Sequence, residues 1–307
     1  MKKQIHQMTI AQFEKQFPNE DACKAYLQDN RWPEGVRCPR CNNQGVCELS
    51  TMPYKWECSA CAQGNSYRFS VLVGTIFENT NKPLRDWFRV MHMMLSSKKG
   101  VSALQIYRVM GFGSYNTAHL MCSKIRIALG GEDFKQLVGV VEFDETLIGG
   151  KAKNGHKDKR GGPGGTGKGT GGAGRGSNKL IVAGAVSRKG NVVARVVENV
   201  TRSTLTAFVR KAVSHKVSLL CTDGWVGYAK LGLEFPHAFV DRAEGEYVVG
   251  AVHTNTIEGF WSIVKRGITG TFHKVSAAYL PLYVNEFEFR YNHRNNQDIF
   301  GAAIRAC

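Results

Sequence analysis

Leu137–Gly150 reads LVGVVEFDETLIGG, and how this stretch folds decides the architecture. Valines and a phenylalanine crowd its first half, no proline interrupts it and a Gly-Gly pair closes it, all marks of a strand. KLIVAGAVSRKG at 179–190 and NVVARVVENV at 191–200 have the same character. They meet at Lys189-Gly190-Asn191, which predicts a hairpin. Helical spacing takes over in TRSTLTAFVRKAV (201–213), with Thr201 or Ser203 as its cap. An apolar strand, VSLLCTDGWVGYAKL (217–231), and the short HAFVDR (237–242) follow. Further on, VHTNTIEGFWSIVKRG (252–267) sets Ile257, Phe260, Trp261 and Val264 at i, i+3, i+4 and i+7, the buried stripe of an amphipathic helix.

Three strands, a helix, a strand and a later helix are the order of an RNase H-like α/β core, a mixed sheet with flanking helices. We assign it residues 137–296. In such a sheet Asp144, within the first strand, and Asp223, at the end of the fourth, lie side by side. Period-two alternation puts Glu142 on the face of Asp144 and Glu145 on the other. Glu258 sits beside the apolar stripe of its helix, with Ser262 and Lys265 on the same side. Each acid also has a plainer reading. Asp144 can cap a turn, Asp223-Gly224 is a common turn pair, and Asn255 with Glu258 three residues on has the form of a capping box. Three carboxylates meeting on one α/β core favour a shared site over three separate local roles.

The 307 residues carry 41 Lys and Arg against 25 Asp and Glu, a net charge of +16 that favours a polyanionic partner, with nucleic acid foremost. No apolar run reaches the ~18 residues of a membrane span and the first residues lack a signal-peptide core, so a cytoplasmic location without membrane attachment is expected. Nine cysteines suit metal binding and burial better than a disulfide framework.

Residues 1–36 read as a small helical lead-in. In 37–77, Cys38-Pro-Arg-Cys41 and Cys58-Ser-Ala-Cys61 have the spacing of a zinc ribbon. Four thiolates close a tetrahedron around one structural Zn2+. Cys47 is a possible substitute ligand, but it has no CxxC partner and is expected to be a small buried residue. Residues 78–132 read as three amphipathic helices. The last two, VSALQIYRVMG and SYNTAHLMCSKIRIAL, flank Gly113 as in a helix-turn-helix. Tyr115, Asn116, Thr117, His119, Lys124 and Arg126 are its candidates for facing DNA; a plain bundle packing the methionines is the alternative.

Residues 151–179 are glycine-rich and basic, with eight Lys and Arg against Asp158 alone. Gly162-x4-Gly167-Lys168 imitates a phosphate-binding loop, but Gly169 stands where a hydroxyl must hold Mg2+. The tract is read instead as a flexible insertion whose bases, Lys168 and Arg175 among them, contact DNA phosphates without sequence preference. Residues 297–307 are read as a tail.

CPRC and CSAC, FDETLIGG, CTDGW, HTNTIEGFWSIVKRG and the late NEFEFRYNHR together resemble the DDE transposases, specifically the bacterial insertion-sequence group with an N-terminal zinc ribbon. The likeness runs from about Cys38 to Asn295. It implies that Asp144, Asp223 and Glu258 bind two Mg2+ (or Mn2+) ions, and that Lys265, with Arg266 beside it, is the basic signature residue that holds phosphate. Some relatives carry Asn or His in place of the glutamate, which keeps Asn255 as a lesser candidate. The implied activity is cutting DNA at element ends and joining the 3′-hydroxyl to target DNA, carried out by a homo-oligomer on DNA. Two other readings stand beside it: an RNase H-like nuclease or resolvase that only hydrolyses, and an inactive, domesticated DNA-binding protein. Trp225 and Trp261 are expected to pack rather than to stack on bases.

Overall fold

The computed structural model describes residues 8–61, 67–131, 135–149, 179–224, 228, 231–240, 248, 250 and 252–307. Its first elements are helices α1 (Ile10–Gln16) and α2 (Glu20–Arg31), strands β1 (Cys47–Glu48), β2 (Lys55–Cys58) and β3 (Tyr67–Ser70), and helices α3 (Leu84–Ser96), α4 (Ala103–Met110) and α5 (Tyr115–Ala128). Then come β4 (Leu137–Ile148), β5 (Leu180–Ser187), β6 (Val192–Val197), α6 (Arg202–Ala212), β7 (Val213–Asp223) and β8 (His237–Val240). Helices α7 (Asn255–Arg266), α8 (Leu280–Asn292) and α9 (Ile299–Arg305) complete the chain. They group into two compact units, Met1–Gly131 with His293–Cys307, and Glu132–Asn292.

The first unit joins a three-stranded antiparallel ribbon, β1-β2-β3, to a helical cluster. Phe17 is its hub, with ring centroids 5.1 Å from Phe88 and 5.5 Å from Phe300. Phe300 belongs to α9, so the residues read as a tail form a helix of this unit. Helix α3 starts at Pro83, which has no side chain to cap it. Glu20 of α2 does so instead, accepting from the Leu84 and Arg85 amides at 2.8 and 3.1 Å.

The second unit is a five-stranded mixed sheet in the order β6-β5-β4-β7-β8. The first three strands are antiparallel, and β7 and β8 add in parallel on the other side of β4. The β5–β6 hairpin turns at the expected place, with Lys189 at φ 63° and the Ser187 amide donating to the Asn191 carbonyl at 2.9 Å. One face buries Val141, Phe143 and Leu220 against Leu205 and Val209 of α6. The opposite face buries Val182, Val186 and Ala194 against Ile257, Phe260, Trp261 and Val264 of α7 and Phe287 of α8. This is the RNase H-like mixed α/β sheet expected from the order of elements.

Helix α8 also covers the sheet edge. Asn292 accepts from the Val192 amide at 2.7 Å and donates to its carbonyl at 2.9 Å, while Glu288 accepts from the Ala194 amide at 3.0 Å. Polar groups of β6 that, among the described residues, no further strand pairs are thereby satisfied. Among the described residues, no helix is long and apolar enough to cross a membrane.

Candidate active site

Strands β4 and β7 pair in parallel up to Glu142 opposite Cys221. Two residues further along each strand stand Asp144 and Asp223, which alternation places on the same face as Glu142 and Cys221. Arg188 confirms that shared face, with its Nη2 3.9 Å from Cys221 Sγ and its Nε 2.7 Å from Glu142 Oε1. Glu145 points to the opposite side, where the buried Tyr228 hydroxyl donates to it. Burial, and then the charges of Glu145, Asp223 and Asp144, push the Tyr228 hydroxyl above its ordinary range. Burial likewise raises Glu145, with the charge of Asp223 adding to it. The acids at the end of β4 and β7 therefore feel one another.

Helix α7 brings the third acid. Its apolar stripe is buried as the spacing predicts, but its start differs from the capping box read in the sequence. Thr254 is the cap residue and makes no capping hydrogen bond with its side chain; Asn255 is the first helical residue and is exposed. The cap comes from the sheet. Glu142 Oε2 accepts from the amides of Thr256 at 2.7 Å and Ile257 at 3.0 Å, and its Oε1 accepts from Thr256 Oγ1 at 2.8 Å. Glu258 is thereby released from capping. It is exposed, and its Oε1 accepts from the buried Thr254 hydroxyl at 3.2 Å.

The same docking depends on Gly184, which pairs with Asp144 across β4 and β5. Trp261 fills the space its missing side chain leaves, so this tryptophan packs as expected. Lys265 and Arg266 are exposed in the last turn of α7, where Arg266 Nε donates to Ser262 Oγ at 3.1 Å.

The role of Glu142 was not legible beforehand beyond its face. The available signal was an acid inside an apolar strand, on the face that a helix must cover. Among the described residues, the four ribbon cysteines are the one cluster of three or more candidate ligands whose atoms all lie within 4.8 Å of one another. Asp144, Asp223 and Glu258 do not form a second cluster that tight. Like charges resist closer approach, and a set serving two ions about 4 Å apart need not fit one coordination sphere.

In the ribbon, Cys38 Sγ lies 3.6 Å from Cys61 Sγ, as does Cys41 Sγ from Cys58 Sγ. That is far beyond a disulfide bond and close to the roughly 3.8 Å between sulfurs of a tetrahedral zinc site. Burial opposes ionisation of Cys38, but the Cys41 and Arg40 amides outweigh it and bring the thiol down to about 7. Asn42, at φ 59°, makes the tight turn of the first knuckle. The four thiols fit one structural zinc ion. Cys47 is exposed, not buried as expected, on β1, a two-residue edge strand both of whose residues are exposed.

Helices α4 and α5 form, joined through Gly111 at φ 64°. Tyr115 and Asn116 are exposed at the start of α5, while Thr117 and His119 are half-buried. Two other DNA-facing candidates turn inward. Lys124 Nζ donates to the Ile76 carbonyl at 3.3 Å and lies 6.0 Å from the Trp87 ring centre. Arg126 is 1% exposed, on the stripe with Cys122, Ile125 and Leu129 that the bundle buries. Helical periodicity, which hides every third or fourth residue, outweighs charge at that position. Lys168, Arg175, Trp225 and nearly all of 151–179 lie outside the described residues.

Comparison with known proteins agrees with these features. The sequence model of the ISXO2-like transposase domain matches residues 136–292, and that of a transposase zinc-ribbon domain matches residues 18–63. The chain is also similar to an uncharacterised protein in the transposable element ISH50 of Halobacterium salinarum, 26% identical over 286 residues that cover 90% of this chain and 92% of the relative. No solved structure gives a significant match. With its sheet unit matched from residue 136 to its end and a ribbon before it, the chain belongs to the ISXO2-like transposases of insertion sequences.

Proposed function

We propose that the chain cuts DNA at the ends of its element and joins the released 3′-hydroxyl to target DNA, with Asp144, Asp223 and Glu258 as the catalytic acids. The observation that carries this reading is the placement of Asp144 and Asp223 on one face of adjacent parallel strands, with the start of the Glu258 helix bonded to that face. All three are hard oxygen donors, the type that Mg2+ or Mn2+ prefers. When bound, two such ions supply an activated water and charge relief on the leaving oxygen.

The protein's own share is positional. The aspartates are fixed by the two central strands, and Glu258 is presented from a helix held at its first turn. Lys265 and Arg266, about two turns further along, hold a phosphate beside the acids. The freed 3′-hydroxyl would then attack a phosphodiester of the second DNA in the water's stead, breaking that strand's own P–O bond and releasing its 3′-oxygen as a hydroxyl, so one site serves cutting and joining. The unusual hydroxyl of Tyr228 and the Glu145 carboxyl lie on the far face and back the aspartates rather than meet the DNA. Tyr115, Asn116 and the basic insertion supply further DNA contacts in the cytoplasm, where the active species is a homo-oligomer on the element ends.

The test is a Mg2+-dependent assay on DNA carrying those ends. Wild type is expected to cut and to join, and Asp144→Asn and Asp223→Asn to do neither. Cutting without joining identifies a hydrolytic nuclease. Specific binding without either step identifies a regulator.

A further inference from the structure

We propose that Glu142, which is no candidate metal ligand, is a positioning residue that sets Glu258 relative to Asp144; this rests on the reading of those two acids as a metal-binding pair. Glu142 is 0% exposed, and a buried carboxylate is costly unless its oxygens are well bonded. It is well bonded. Arg188 Nε at 2.7 Å and His253 Nδ1 at 3.2 Å approach Oε1, which also accepts from the Thr256 hydroxyl. The amides of Thr256 and Ile257 donate to Oε2.

Every one of these partners except Arg188 belongs to the entry of α7, and Arg188 reaches that entry too, through the His253 carbonyl at 3.0 Å. A single carboxylate on β4 thus clamps residues 256 and 257, immediately before Glu258, and its partner Arg188 ties down residue 253. Glu142 and Asp144 are two residues apart on the same strand face, about 7 Å along the backbone. The link from Asp144 to Glu258 is therefore two residues of strand, one carboxylate and one residue of helix. Packing alone does not set this geometry. The apolar stripe of α7 resists separation from the sheet, but it tolerates small sliding and rotation that directional bonds forbid. Groups just outside a metal's ligands commonly change metal affinity about 10–100-fold.

The experiment compares wild type, Glu142→Gln, Arg188→Lys and Asp144→Asn in the full chain with the ribbon zinc in place. Mn2+ binding is measured by electron paramagnetic resonance, hydrogen exchange by mass spectrometry over 252–260, and melting by circular dichroism. Glutamine accepts at one oxygen only and turns an N–H toward the others. We expect Glu142→Gln to melt cooperatively, to exchange faster at the start of α7 and to bind Mn2+ about 10–100-fold more weakly. Arg188→Lys keeps the charge but not the fork, and should show a smaller loss of the same sign. It decides the question if Glu142→Gln does not fold. Wild-type Mn2+ affinity in these two variants, beside a loss in Asp144→Asn, overturns the positioning role alone. Wild-type affinity in Asp144→Asn overturns the metal-site reading, and the positioning role with it.

Discussion

Gly184 and Trp261 share one space: a Cβ placed on Gly184 would lie 2.6 Å from two ring carbons of Trp261, and 3.3 Å from Ile257 Cδ1. Gly184 is paired with Asp144 across the sheet, so this contact limits how closely α7 can pack onto the sheet beside the first aspartate, while the bonds of Glu142 hold the helix against sliding and rotation. Neither partner can yield easily, one being backbone of an inner strand and the other a buried ring.

Gly184→Ala should therefore destabilise the second unit by about 1–3 kcal/mol, the usual cost of overpacking. Trp261→Phe should relieve the clash. The indole Nε1 is buried and finds no hydrogen-bond partner among the described residues, so phenylalanine loses no bond there. A double-mutant cycle by urea unfolding should show Gly184→Ala costing less when combined with Trp261→Phe than it does alone. Additive effects would mean that the ring is not what Gly184 accommodates.

Cys58→Ser should remove zinc and unfold the ribbon while the second unit stays formed. Cys58 is buried beside Trp56, whose ring stacks on Phe69 at 5.9 Å, so the metal and a small aromatic cluster stabilise the same three short strands. Such a ribbon is too small to hold on apolar burial alone. Zinc content by mass spectrometry should fall from one per chain to none, with loss of the near-ultraviolet dichroism of Trp56. A mutant that still carries a full zinc ion refutes the four-thiolate site.

His237 gives the second unit a dependence on pH. Its ring is half-buried on β8, and burial holds its pKa below the ordinary histidine value. The Thr222 hydroxyl donates to the Asp223 carbonyl, which leaves Thr222 Oγ1 to accept from His237 Nε2–H at 2.9 Å. The folded state thus prefers the neutral ring and the unfolded chain takes up the proton first. Stability is full above the unfolded value of about 6.5 and falls as pH drops from there toward the lower folded value. Urea midpoints should decline between pH 7.5 and 5.5 in wild type and decline less in His237→Gln. Equal slopes would remove this histidine as the cause.

Much of this was legible in the sequence because the patterns concerned are local. Valine-rich runs, a Lys-Gly-Asn turn and an i, i+3, i+4, i+7 stripe each depend on neighbours within a few residues, and the two CxxC pairs carry their own geometry. What escaped depends on contacts across the chain. Glu142 and Thr256 are 114 positions apart, and Glu20 and Leu84 are 64 apart, yet each pair makes a helix cap. Local capping rules see only the residues beside the helix, and so assigned the cap to Asn255 and Glu258. Arg126 escaped for a related reason: one position of rotation separates the exposed from the buried side of α5, and composition does not report it.

The decisive prediction concerns Glu258. Because Glu142 supplies the cap, Glu258 is not needed to start its helix, and its exposed carboxylate accepts from the Thr254 hydroxyl. Glutamine can accept that bond equally well. Glu258→Gln should then change unfolding free energy by no more than about 0.5 kcal/mol, as at other exposed positions. It should leave binding to element ends intact and abolish both cutting and joining, since glutamine lacks the anionic oxygen a divalent cation needs. Asn255→Ala is the companion variant, because Asn255 lies exposed on the preceding turn and is the other candidate third ligand. Activity kept in Asn255→Ala and lost in Glu258→Gln assigns the role to the glutamate. The reverse moves it to the asparagine, and near-normal activity in both, beside inactive Asp144→Asn, leaves α7 without a catalytic ligand and sinks the triad.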